Sequence, residues 1–181
     1  MSPVKDRSRR RVAAASHPAS VPPIGYTAED AALLGAMQEV EIAARDLYQA
    51  ALDAGADDDV YRGIRDNHGA YVDILSGLIG RSAGSLRNDA LYQEHVGSFE
   101  ESSGEALAQA AYDFESTLVA THTQALGELV GINGAAAVAS IVMVEARHCT
   151  VLADMAGNGQ DYSALFENTA EPLDLRIGDQ G

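Results

Sequence analysis

Glu145-Ala146-Arg147-His148 sets a carboxylate and an imidazole three residues apart, so on a helix both project from one face. Carboxylate oxygen and imidazole nitrogen are both good ligands for a divalent cation, and this pair can reach the same one. Glu41 and Glu115 are two further acids, and His68 and His122 two further imidazoles, in stretches that otherwise read as apolar. A carboxylate buried alone costs several kcal/mol or takes up a proton. A cation shared among several such groups removes that cost. Glu41 precedes His68 by 27 residues, and Glu115 precedes Glu145 by 30. Each interval suits half a helix, a short turn and half of the facing helix.

Four stretches must position these groups, each with apolar residues at the 3.6-residue period. The first runs through Leu33, Leu34, Met37, Val40, Ala44, Leu47, Tyr48 and Ala51, with Glu41 inside the stripe. The second has Tyr61, Ile64, Tyr71, Val72, Leu75, Leu78 and Ile79, with His68 inside it. Leu107, Ala111, Phe114, Leu118, Ala125, Leu126 and Leu129 make the third, interrupted by Glu115 and His122. The fourth has Val138, Ile141, Val144, Val151, Leu152 and Met155, interrupted by Glu145 and His148.

Each group has a plainer reading when taken alone. Glu41 fits a carboxylate bonded to Tyr71 or an arginine, and His68 fits a satisfied core histidine. Their coincidence near the middle of four core faces favours a metal, with a metal-free polar network as the alternative. His122 lies two turns, roughly 10 Å, from Glu115. It is therefore expected to make a core hydrogen bond and not to share Glu115's metal. Tyr48 and Tyr71 read as core fillers or as hydrogen-bond donors to the ligands, with redox-active residues near a metal as the alternative. Glu39 should face outward and Cys149 should pack as a small apolar group.

Thr27 and Asp30 form a capping box that opens the first helix, which ends near Gly55. Asp57-Asp58-Asp59 begins a second helix ending at Gly80. A connection over 81–104 follows, with a short helix near 88–96. A third helix covers about 105–130, and Asn133 caps a fourth that ends before Gly157. The chain is therefore expected to be all-α: an up-down-down-up four-helix bundle over 27–157 with one long crossover. A basic, disordered tail (1–26) and a C-terminal tail (158–181) flank it. The latter packs through Tyr162, Leu165 and Phe166 or stays loose, and Glu171–Arg176 could serve as a docking peptide.

Bulk properties narrow the function. The chain has 181 residues, 46% hydrophobic and 22% charged, a normal globular balance. Its formal charge of −15 opposes nucleic-acid binding. Cys149 is the only cysteine, so no intrachain disulfide forms. No apolar run approaches the roughly 20 residues that span a bilayer. Arg9-Arg10-Arg11 resembles a twin-arginine export signal, but only Ala13-Ala14-Ala15 follows where about 7–15 apolar residues are needed. A cytoplasmic location is expected, with export as the alternative.

Taken together, the residues resemble the ferritin-like superfamily, and within it the bacterial ferritin-like domain proteins, over about 27–157. The carriers are Gln38-Glu39-Val40-Glu41 with Tyr48, Asn67-His68-Gly69-Ala70-Tyr71, Phe114-Glu115-Ser116-Thr117 with Thr121-His122-Thr123, and Val144-Glu145-Ala146-Arg147-His148. The family pattern implies one Glu from the first and third helices and Glu-x-x-His from the second and fourth. Glu41, Glu115, Glu145 and His148 match it, whereas the second helix carries His68 and Tyr71 instead. The resemblance implies iron or another divalent metal, mono- or dinuclear, with O₂ or peroxide as oxidant. Glu115 and Glu145 would bridge or chelate, Glu41 and His148 would be terminal ligands, and His68 would complete the sphere. The alternative is a non-catalytic bundle in stress protection or partner binding with a degenerate site, and a homo-oligomer through helix faces is compatible with either.

Overall fold

A computed structural model describes residues 23–175. The basic N-terminal stretch and Arg176 lie outside the described residues. Helix α1 (Ala28–Asp53) begins at the capping box: Thr27 Oγ1 accepts from the Asp30 amide, and Asp30 Oδ2 accepts from the Thr27 amide at 2.8 Å. It ends at Ala54, and Gly55 turns the chain with a φ of +106°. Helix α2 (Asp59–Ile79) is capped by Asp58, whose carboxylate accepts from the Val60 amide, and a single 3₁₀ turn, Gly80–Ser82, closes it.

Helix α3 (Asp89–Glu101) occupies the crossover and runs one turn further than the sequence suggested. Phe99 is the reason. It is buried, and its ring meets Tyr48 and Phe114 edge-on at 5.3 and 5.8 Å, so tertiary packing carries the helix past its local signals. Helix α4 (Gly104–Glu128) and helix α5 (Ile132–Met155) form the second long pair, and a short α6 (Tyr162–Phe166) follows.

Four hydrogen bonds fix the directions. The Tyr26 hydroxyl, just before α1, reaches the Ile79 carbonyl at the end of α2, and Arg65 donates to Gln49 towards the other ends. These helices are therefore antiparallel. The Asp30 carboxylate also accepts from the Val130 and Gly131 amides, both at 2.9 Å, so α4 ends and α5 begins beside the start of α1. Helices α1 and α5 run one way and α2 and α4 the other, which is the expected up-down-down-up order.

The start of α5 departs from expectation. Asn133 lies inside the helix, and Gly131 is the cap without any side-chain bond. The Ile132 and Asn133 amides instead donate to the Pro23 and Ile24 carbonyls, so the segment ahead of α1 caps α5. A Cβ at Gly131 would collide with the Gly25 carbonyl oxygen and crowd Asp30 Oδ2.

The core divides in two along the bundle. Val40, Leu47, Tyr48, Tyr61, Ile64, Phe99, Phe114, Leu118 and Leu152 pack towards one end. Leu34, Met37, Tyr71, Leu75, Ile79, Val138 and Ile141 pack towards the other. Each fully buried side chain of this size contributes about 1.5–3 kcal/mol relative to exposure. Glu41, His68, Glu115, His122, Glu145 and His148 fall between the two layers on every long helix.

Two expectations about the apolar pattern are corrected. Val151 was placed on the core stripe but is 43% exposed, because Leu152 takes the inward position. Tyr162 and Phe166 do not anchor the C-terminal tail: they stack on each other at the surface, 77% and 79% exposed. The tail is held further on, where Asn168 Nδ2 donates to the Ser116 carbonyl, the Leu173 amide donates to Thr121 Oγ1, and Leu173 and Leu175 rest on the core. Helix α5 is long and apolar enough to cross a membrane by length and composition alone, yet it carries Glu145, Arg147 and His148 and gives one face to the bundle core.

Candidate metal centre

The four long helices bring three carboxylates and three imidazoles to one interior region. Glu41, His68, Glu115, His122 and Glu145 are completely buried, and His148 is 6% exposed. Each comes from a core stripe and so is directed inward by the same periodicity that buries its apolar neighbours.

The six residues form two groups of three. In each group, one ligand atom per residue lies within 4.8 Å of the others: His68, Glu115 and His148 in one, Glu41, His122 and Glu145 in the other. Glu115 and Glu145, expected to share a metal, fall into different groups. His122 does make the expected core hydrogen bond, since Nδ1 donates to Glu145 Oε2 at 2.9 Å. It stands apart from Glu115's group, as its two-turn offset requires, and sits beside Glu41 and Glu145.

The first group is closed by its own hydrogen bonds. Glu115 Oε1 accepts from the Tyr48 hydroxyl at 2.8 Å and from His68 Nε2 at 2.9 Å, while Oε2 accepts from His148 Nδ1 at 3.1 Å. The side-chain amide of Asn67 donates to His148 Nε2 at 2.9 Å, which leaves the ring's proton on Nδ1. Sequence reasoning did not assign Asn67 a role, although its place beside His68 on α2 was a signal for it. The His68 ring stacks on Tyr48 with centroids 5.6 Å apart and meets Tyr71 edge-on at 5.7 Å.

His68 also joins the groups, because Nδ1 donates to Glu41 Oε2 at 2.7 Å. With both ring nitrogens donating to carboxylates, the ring acts as an imidazolium. Burial disfavours that charge, but Glu115 and Glu41 outweigh it and hold the His68 pKa well above its ordinary value. Burial likewise opposes a charged Glu115, yet His68 and His148 hold that carboxyl well below the usual range. Burial pushes Glu145 up, against the opposing pull of His122. His122 is raised to about 9 by Glu145 and Glu41 despite the cost of burial. Two acids at similar depth are thus driven apart by their surroundings.

The second group is not closed. Among the described residues, the buried side-chain polar atoms without a hydrogen-bond partner are Glu41 Oε1, Tyr71 Oη, His122 Nε2 and Glu145 Oε1. Three of these four belong to one triad, where Glu41 Oε1 and His122 Nε2 face each other as a loose ion pair at 3.4 Å without a hydrogen bond and Glu145 Oε1 has no partner. Unpaired buried atoms of this kind each cost about 1–3 kcal/mol. Two carboxylate oxygens and an imidazole nitrogen left open together are a donor set that suits a divalent cation.

Of the other residues singled out, Glu39 is only partly exposed and its carbonyl accepts from the Asn88 amide of the crossover. The arginine expected as an alternative partner of Glu41 is not there: Arg45, one turn along α1, pairs with Asp46, and Glu41 bonds to His68 instead. Cys149 is half-buried beside Ser116, and burial together with Glu115 pushes its thiol up to about 12. It is a poor thiolate ligand and nucleophile.

An all-α up-down-down-up bundle with acids and imidazoles at its midpoint defines the ferritin-like class. The model of the ferritin-like domain family matches residues 24–158, well over half of the chain, and the protein belongs to that family. No curated protein and no solved structure matches it.

Proposed function

We propose that the protein binds a divalent metal, iron foremost, at its buried Glu/His cluster and serves as an oxidase or peroxide-reducing centre. The single observation that carries this reading is the set of atoms without a hydrogen bond on Glu41, His122 and Glu145, buried together, with Glu41 Oε1 and His122 Nε2 in a loose ion pair 3.4 Å apart. Membership of the ferritin-like family supports iron over other cations. Bound iron would supply one-electron chemistry towards O₂ or peroxide. The chain's own part is to hold acids and imidazoles preorganised, exclude bulk water through the two apolar layers, and keep Tyr48 donating to Glu115.

A second reading has its own observation. Glu115, His68 and His148 satisfy one another without a cation, which is what a metal-free network in a non-catalytic stress-protection or partner-binding bundle would look like. Anaerobic Fe(II) titration separates the two. Retained iron that is lost in Glu145→Ala, followed by its oxidation on admitting O₂ or peroxide, supports the first; absence of retained iron in the wild type supports the second.

A further inference from the structure

The two triads are chemically unequal, and the inequality bears on how many cations the cluster takes. This step rests on the proposed metal reading. Every hydrogen-bonding atom of Glu115 and both ring nitrogens of His68 and His148 already have partners. A cation entering there must break several buried bonds and strand Asn67 or Tyr48. In the other triad Glu41, His122 and Glu145 each keep one atom engaged and one atom open.

We propose that the protein holds a single divalent cation in a mononuclear site made by Glu41, His122 and Glu145, with the Glu115 group acting as its positioning network. Each of the three offers one ligand atom within 4.8 Å of the others, and a cation there would displace the proton that His122 shares with one of the two carboxylates, Glu145 at 2.9 Å or Glu41 at 3.4 Å. Glu41 is held from the other side: His68 Nδ1 donates to Oε2 and leaves Oε1 without a hydrogen bond. Tyr71 Oη, unpaired and on the helical position where the family pattern has a histidine ligand, is a donor available to an anion or a water at the cation.

Charge supports the same count. Three carboxylates carry three negative charges. One dication does not exceed them, whereas two dications leave an excess of positive charge with no carboxylate to meet it. The family pattern has a fourth carboxylate on the second helix, and here that position is His68. The His68 ring therefore stands where the pattern has a shared acid, between the two triads, bonded to Glu41 on one side and Glu115 on the other.

Anaerobic equilibrium dialysis against Mn(II), read by elemental analysis and by electron paramagnetic resonance, tests this. Wild type should retain one Mn(II) per chain with the six-line spectrum of an isolated ion. His122→Ala should weaken retention on the order of 100-fold, and His148→Ala, whose bonds go to Glu115 and Asn67 and not to the three ligands, by no more than about 10-fold. Circular dichroism melts confirm that both variants are folded, and the wild-type spectrum needs no variant. Two ions per chain with the multiline spectrum of a coupled pair overturn the mononuclear site but leave the metal reading standing. Equal losses in the two variants also overturn it. No ion retained by the wild type sinks both.

Discussion

His122 and Glu145 meet across the α4–α5 interface, with Nδ1 of one 2.9 Å from Oε2 of the other and both side chains wholly buried. In the metal-free protein this pair makes stability depend on alkaline pH. Glu145 and Glu41 raise the His122 pKa to about 9 from an ordinary value of 6.5, so the folded state holds that proton more tightly than the unfolded chain does. The resulting stabilisation is complete below about pH 6.5 and is lost as pH climbs through about 9. The same sign holds for His68. Thermal melts of chelator-treated protein should show Tm falling over this window, and a flat profile would contradict the pairing.

Asp30 is the second linchpin and is remote from the cluster. Its carboxylate accepts from the Thr27, Val130 and Gly131 amides, ties three helix ends together, and has its pKa lowered by those bonds against the opposing effect of burial. Asp30→Ala should cost about 2–3 kcal/mol, as expected for a lost cap that also leaves partly buried amides unpaired. Urea unfolding measures it. A loss within about 0.5 kcal/mol would show that water replaces the carboxylate at no cost.

Tyr48→Phe removes one donor from Glu115 while His68 and His148 still hold it. The cost should be about 1–2 kcal/mol, with helical content unchanged. Because Tyr48 serves the hydrogen-bonded triad, the amount of Mn(II) retained should stay the same. Loss of the metal would show that the two triads act as one centre.

Much of this architecture was readable from periodicity and caps. Thr27 with Asp30, Asp58 ahead of α2 and Asn88 ahead of α3 each cap the helix that their sequence positions indicate. The placement of Glu41, His68, Glu115, Glu145 and His148 on inward stripes followed from 3.6-residue spacing alone. What the pattern could not convey was depth along the bundle axis. Spacing fixes the face of a helix, but the alignment of one helix against another depends on loops and packing. For that reason Glu115 and Glu145 looked like partners, whereas the observed alignment pairs Glu145 with His122, two turns further along α4. The start of α5 was illegible for a similar cause: its amides are met by Pro23 and Ile24, more than a hundred residues away.

Thermal denaturation with and without anaerobic Fe(II), on wild type and on Glu41→Gln, tests the central claim most directly. At about 100 times the dissociation constant, a cation bound only by the folded protein should raise the wild-type Tm by roughly 5–10 °C. Glu41→Gln, which loses an open ligand oxygen, should show little of that rise. No rise in the wild type, or an equal rise in both proteins from cations gathering on the acidic surface, would contradict a metal held in the core.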